Sequence, residues 1–222
     1  MSNLSYMQKA TDRGQLQIHV TTERGFFPIK DASIRLSYTG NPTEIIEELS
    51  TDISGQTAAV ELPAPPLEYS MEPSEFQPYS EYTIQVNASG YRPINISGIS
   101  VLPDKTSIQN VRMETATVEN PLERNIVITA NTLYGNFPPK IPEDEIKPVS
   151  ESGEIVLSRV VIPEYVIVHD GPPSDSSAND YYVRYRDYIK NVASSEIYAT
   201  WPDAALRANI LAIMSFTLNR VY

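Results

Sequence analysis

Glu196 is the residue of this chain best placed to do chemistry. It stands in the segment 185–202, Tyr-Arg-Asp-Tyr-Ile-Lys-Asn-Val-Ala-Ser-Ser-Glu-Ile-Tyr-Ala-Thr-Trp-Pro, in the turn between two apolar helical patterns and near the only tryptophan, Trp201. A carboxyl held against aromatic surface loses hydration of its charged form, its pKa rises, and it becomes a general acid. Tyr188, Ile197 and Trp201 are expected to supply that apolar setting, and Tyr188, Ser195 and Trp201 are the candidate substrate contacts. The competing role for Glu196 is structural, since an acid near a helix N-terminus caps free amides and complements the dipole. Trp201 serves equally as a core anchor at a helix entry, and Tyr181, Tyr182, Tyr185 and Tyr188 suit either a sugar groove or a core. His169-Asp170 with Ser194 or Ser195 offers the residue types of a hydrolytic triad, but a strand-end turn accounts for the pair and the spacing does not favour a triad.

Composition closes off other chemistries. There is no cysteine, so disulfides, thiolate metal sites and a cysteine nucleophile are excluded. The two histidines, His19 and His169, have no metal-ligand spacing, so neither a metal nor a cofactor is expected. The net charge is −11, from 28 acidic and 17 basic residues, with no basic run. Nucleic acid and anionic membrane surfaces are therefore not expected as partners. No apolar run reaches the length of a membrane span, and residues 1–11 lack the pattern of a secretory leader. With 222 residues, 41% hydrophobic and 20% charged, the chain has material for one large folded domain or two small ones.

The elements that must position these residues are mainly strands. Residues 14–21, 32–38, 57–62, 82–88 and 107–113 show period-two alternation, as in Leu16, Ile18 and Val20 or Ile34, Leu36 and Tyr38. Turn chemistry separates them at Gly40-Asn41-Pro42, Asp52-Ile53-Ser54-Gly55, Ser89-Gly90 and Leu102-Pro103-Asp104. Asp52 is expected to accept backbone N–H bonds in an Asx-turn, and Gly55 and Gly90 to supply positive φ. The Pro-rich residues 63–80 read as a semi-rigid loop, or as a lip presenting Tyr69, Phe76 and Tyr79 to a partner. Residues 125–130 and 154–162 read as strands framing an acidic, Pro-rich connector that includes Pro138, Pro139 and Glu143-Asp144-Glu145. Residues 163–171 read as a short buried strand. A helix over 187–193 ends at Ser194-Ser195, and a second starts at Pro202-Asp203. Leu206, Ile210, Ile213, Met214, Leu218 and Val221, widened by Ala205, Ala208, Leu211, Ala212 and Phe216, predict burial of that helix on most sides.

Two resemblances follow from the spelling. Pro28, Ala32, Ile34, Leu36, then Thr51, Asp52, Gly55, Leu62, then Tyr82, Val86, Gly90 and Tyr91 resemble a carboxypeptidase regulatory-like, transthyretin-type β-sandwich over about the first hundred residues. That resemblance implies a spacer, adhesion or carbohydrate-proximal module. Asp187, Tyr188, Lys190, Val192, Ser195, Glu196, Trp201, Pro202, Ala205, Leu206, Ala208, Ala212, Ser215 and Phe216 resemble the stage II sporulation protein D family of peptidoglycan-cleaving proteins. This second resemblance implies a lytic transglycosylase-like segment with Glu196 as its catalytic acid. In such chemistry the sugar's own C6 hydroxyl attacks, and one glutamate serves as acid and then base. Met214 stands where the family carries arginine, and Asn209 where it carries glutamine. Because the sequence stops at Tyr222 inside the helix, either a longer protein or another chain covering that face is expected.

The expected organisation is an N-terminal arm (1–13), a transthyretin-like β-sandwich (14–115), a Pro-rich acidic connector with short strands (116–162) and a sporulation-protein-D-like segment (163–222). The fold class is α+β overall: a mainly β N-terminal sandwich with a smaller α+β C-terminal part containing two helices. Two functions compete. One is a peptidoglycan-directed protein of the spore or cell envelope, made in the mother-cell cytoplasm, with glycan strands as partner. The other is a non-enzymatic surface-assembly subunit, a homo-oligomer or partner of another chain through the C-terminal helix.

Overall fold

Leu16, Ile18 and Val20 alternate with more polar neighbours, and a pleated strand sends every second side chain to one face. The result is β1 (Asp12–Thr22), the middle strand of a three-stranded sheet. The computed structural model describes residues 12–72, 75–117, 122–130, 161–172 and 174–221. They fall into two compact units. The first holds the described residues up to 130 together with Tyr198–Trp201, and the second holds residues 161–197 and 202–221. Residues 1–11 of the expected 1–13 arm, Pro138-Pro139, Glu143-Asp144-Glu145 and most of the strand over 154–162 lie outside the described residues, whereas Asp12 and Arg13 of that arm belong to β1.

The first unit is a two-sheet sandwich. In one sheet β1 pairs antiparallel with β4 (Val60–Ala64) and parallel with β7 (Thr106–Met113). The other has the order β3-β2-β5-β6-β8. Its strands are β2 (Ser33–Tyr38), β3 (Asn41–Ser50), β5 (Ser80–Asn87), β6 (Ile94–Val101) and β8 (Arg124–Val127). All its pairs are antiparallel except β6 with β8. Leu16, Ile18, Val20, Leu62 and Val111 of the first sheet and Ile34, Leu36, Tyr82, Ile84 and Val86 of the second are buried in one cluster. Each such aliphatic side chain taken out of water contributes roughly 1.5–3 kcal/mol. Tyr82 keeps its hydroxyl bonded to Pro63 O at 2.7 Å, and burial raises its pKa.

The Thr51–Gly55 turn forms as expected, and for a reason richer than its glycine. Asp52 Oδ1 accepts from the Ser54 and Gln56 amides at 2.8 and 3.0 Å and from Ser54 Oγ at 2.7 Å. These bonds, the Ser54 hydroxyl foremost, hold the Asp52 carboxyl below the usual aspartate pKa. Behind it, buried Thr51 donates Oγ1–H to Ile29 O at 2.7 Å and accepts from the Ala32 amide at 2.9 Å.

Two strands of this sandwich carry no unbroken period-two signal. β3 begins at Asn41, where a turn over Gly40-Asn41-Pro42 was expected; Tyr38 pairs with Asn41, so the reversal is Thr39-Gly40. None of the residues of β3 is buried, so no apolar face exists to be read. In β6 the buried positions slip by one at Gly98-Ile99, matching the register shift opposite Tyr82 and Ile84. The bulge erases the alternation. Residues 63–80 are not all loop: they include the end of β4 and a short helix α1 (Glu68–Met71). Tyr79 is buried rather than displayed, and Tyr69 stacks on Phe76 with centroids 5.0 Å apart.

In the second unit β9 (Tyr165–His169) and β10 (Asp180–Arg184) form an antiparallel hairpin. It runs directly into α2 (Tyr185–Ser194), and α3 (Asp203–Val221) follows. Val166, Tyr185, Ile189 and Ile213 are its buried core. Two expectations are corrected here. β9 is buried on one face only, because a two-stranded sheet has helices against one side; Ile167 is 59% exposed. α3 is not buried on most sides: Ile213 and Thr217 are buried, whereas Leu211 is 62% and Phe216 55% exposed. Apolar character all round a helix states what it is able to bury, and within this unit α2 and the hairpin offer too little surface to cover it. Val161 and Ile162, expected at a strand end, are exposed and in no regular element.

Candidate functional site

α2 begins where β10 ends, with Asp187 in its first turn complementing the positive helix end. It stops at two serines whose hydroxyls satisfy a carbonyl the helix leaves free: Ser194 Oγ and Ser195 Oγ both donate to Asn191 O, at 2.9 and 3.0 Å. The next amides, of Glu196 and Ile197, both return to Ala193 O at 3.1 Å. Glu196 is thereby carried on a tight turn at the end of α2. Pro202 opens α3, its carbonyl accepting from the Ala205 and Leu206 amides.

This geometry corrects the expected setting of Glu196. The side chain is exposed, and its carboxylate accepts a hydrogen bond from Asn209 Nδ2 at 3.2 Å. An exposed side chain is the opposite of the apolar setting expected for it. The structural alternative takes another form too: the bond runs to the Asn209 side chain rather than to α3 backbone amides. Trp201 groups with the first unit, where its indole N–H donates to Ser70 O at 2.8 Å. Tyr188 is half-buried against the small core of the second unit, and Ser195 is exposed.

A groove of about 300 Å³ in the second unit is lined by Val166, Ile167, Val168, His169, Tyr188, Phe216 and Thr217. Of the four sequence-derived site residues it includes Tyr188 alone. Thr217 Oγ1 is committed to Ile213 O at 2.8 Å, and the groove wall mixes polar with apolar surface. Of the tyrosines considered as sugar contacts, Tyr185 is buried with its hydroxyl 3.4 Å from Met214 O, whereas Tyr181 and Tyr182 are exposed. Among the described residues no group of three or more His, Asp or Glu side chains is placed to hold a metal ion. A second open depression of about 270 Å³, in the first unit, mixes Arg13, Glu61, Asp104 and Lys105 with no convergent geometry.

His169 is the polar residue whose partner sequence reasoning missed. Its Nδ1 lies 2.9 Å from Asp180 Oδ1 and its Nε2 3.1 Å from Pro172 O. Both ring nitrogens are engaged, so His169 does not serve Ser194 or Ser195, whose hydroxyls point to Asn191 O. The hairpin register sets His169 opposite Asp180. Only a pairing of residues 165–169 with 180–184 would have exposed that contact in the sequence.

No family model matches the chain, and no curated protein matches it. Among solved structures it is similar to the Bacillus anthracis TIE protein, at 17% identity, TM-score 0.33, covering 47% of this chain and 17% of that one. A minor pilin of Streptococcus agalactiae is similar at 13% identity and TM-score 0.34, covering 48% of this chain and 46% of the pilin. Klebsiella pneumoniae 5-hydroxyisourate hydrolase is similar at 15% identity and TM-score 0.31, covering 47% of this chain and 92% of the hydrolase. These likenesses are too distant to transfer a function.

Proposed function

We propose that this chain is a non-enzymatic structural subunit that self-assembles through α3, with a transthyretin-type sandwich as its rigid body. The observation that carries this reading is the exposed apolar face of α3. Ala204, Ala208 and Ala212 form a shallow row at i, i+4, i+8, and beside it Arg207, Leu211 and Ser215 form a raised row, all exposed. A groove next to a ridge on one helix is self-complementary, since the Leu211 ridge of one copy fits the alanine groove of another. Charge favours the same occupant. Asp203 and Arg207 cancel along this face, while the chain as a whole carries −11 and repels itself elsewhere. A cell-envelope or spore-surface setting rests on the sequence resemblances alone.

Light scattering of the purified chain tests the reading. A concentration-dependent dimer is expected at micromolar concentration, and Leu211→Arg should weaken it by about tenfold or more, because the substitution adds a like charge to a symmetric contact. A strict monomer, or a dimer indifferent to Leu211→Arg, rules the reading out. The lytic reading makes the opposite forecast and is checked separately. Denuded glycan strands should stay intact with wild type and Glu196→Gln alike. Release of 1,6-anhydro ends by wild type alone would restore Glu196 as a catalytic acid.

A further inference from the structure

The two acceptors around His169 constrain its protonation. A neutral imidazole has one N–H and one lone pair, so it can donate to Asp180 Oδ1 or to Pro172 O but not to both. Only the imidazolium satisfies both contacts, at 2.9 and 3.1 Å. The acceptors also come from opposite ends of one loop. Pro172 lies just beyond the end of β9, and Asp180 is the first residue of β10. The ring therefore spans the mouth of the 170–179 loop.

The other groups around the ring reinforce the charged form. From the loop itself, Asp175 comes near: a Cβ placed on Gly171 would lie 3.8 Å from His169 Nε2 and 3.9 Å from Asp175 Oδ2. Asp175 is held there by the Ser177 amide at 2.9 Å and the Ser177 hydroxyl at 2.6 Å, which keep its own pKa low and its charge on. From β10 comes Asp180. From α2 Tyr188, and from α3 Phe216 and Thr217, line the groove that His169 shares, and they bring no formal charge near neutral pH. Among the described residues no basic side chain is among the groups acting on the ring.

We propose that His169 is a pH-operated latch: as an imidazolium it clamps the 170–179 loop across the end of the hairpin, and on losing its proton it lets that loop open beside the groove lined by Val168, Tyr188 and Thr217. The direction of the response follows from the partners. The hydrogen bond to Asp180 is the largest effect and raises the His169 pKa above the ordinary 6.5; desolvation opposes it, and the bond to Pro172 adds a smaller rise. A histidine with a raised folded-state pKa contributes stability that is complete below the unfolded value and is lost as pH rises through the folded one. The latch is closed below the ordinary histidine pKa and opens as pH rises through the raised folded-state value, independently of whether α3 self-associates.

NMR on the full chain tests this. The His169 ring should titrate above 6.5. The amides of Asp175, Ser177 and Ala178, corrected for intrinsic exchange, should lose about threefold or more of their protection between about pH 6 and about pH 8.5. His169→Gln should remove that pH dependence, and Asp180→Asn should bring the ring's titration back toward the ordinary value. A ring titrating at or below 6.5 in the wild type overturns the latch without any variant being needed. So does equal protection at both pH values, or a His169→Gln loop that still opens with rising pH.

Discussion

Gly55→Ala is expected to lower the stability of the first unit by about 3 kcal/mol or more, whereas Gly90→Ala lowers it by only about 1 kcal/mol. The two glycines have similar positive φ, +74° and +81°. An L side chain pays the same local strain at either. They differ in what surrounds them. A Cβ on Gly55 would sit 2.5 Å from Val20 O and 3.1 Å from the Ile29 amide, whereas nothing lies within 4 Å of one on Gly90. Besides Pro28 Cβ at 3.0 Å, the atoms in the way at Gly55 are backbone, and they are engaged: the Ile29 amide donates to Val20 O at 3.0 Å, and the Val20 amide donates to Gly55 O at 2.7 Å. Relief would require moving β1 off the turn. Denaturant melts of both variants measure the difference, and equal losses would mean that only local strain matters.

Thr51→Val is the second large effect, about 2–4 kcal/mol, although valine has almost the shape of threonine. The hydroxyl serves two buried backbone groups at once, accepting from the Ala32 amide and donating to Ile29 O. Valine leaves both without this partner in a site that is 2% exposed. Thr51→Ser keeps the hydroxyl and removes one methyl, so it should cost about 1 kcal/mol. If valine and serine destabilise equally, the hydroxyl is not what fixes the turn. Asp52 acts on the same turn from the solvent side and gives it a pH dependence. Its carboxyl is depressed in the folded chain, so its contribution is present above the usual aspartate pKa and fades as pH falls through the folded-state value.

The thin second core sets the context for assembly and for the latch. Among the described residues, seventeen buried ones cluster in the sandwich and four in the second unit. The second unit therefore depends more on each contact and has the smaller reserve against loop opening. Its hairpin gains little from its single buried face, with Val166 buried and Ile167 and Tyr182 exposed. A second copy docking on Leu211 would add apolar burial where the unit lacks it.

Local periodicity determined much of this protein. Alternation in residues 14–21, 32–38, 82–88 and 107–113 is a direct record of one buried face, and it placed β1, β2, β5 and β7 within a residue or two. The Thr51–Gly55 spelling determined its turn, because Asx bonding and positive φ are satisfied within a few residues. The existence of α2 and α3, and the Pro202-Asp203 start of α3, were legible for the same reason.

Only the tertiary structure decided what covers each element. β3 has no face to record, since none of its residues is buried, and the bulge in β6 breaks the rhythm by which strands are recognised. Glu196 has aromatic neighbours in sequence, yet it stands in water, because hydration depends on what packs across space rather than on what is adjacent in the chain. The same holds for α3: its composition states how much it is able to bury, and the size of the neighbouring core decides how much it does. His169 and Asp180 are eleven residues apart and unremarkable until the β9–β10 register brings them face to face. Strand pairing is a long-range choice, and a single sequence records its consequences only where a buried face repeats.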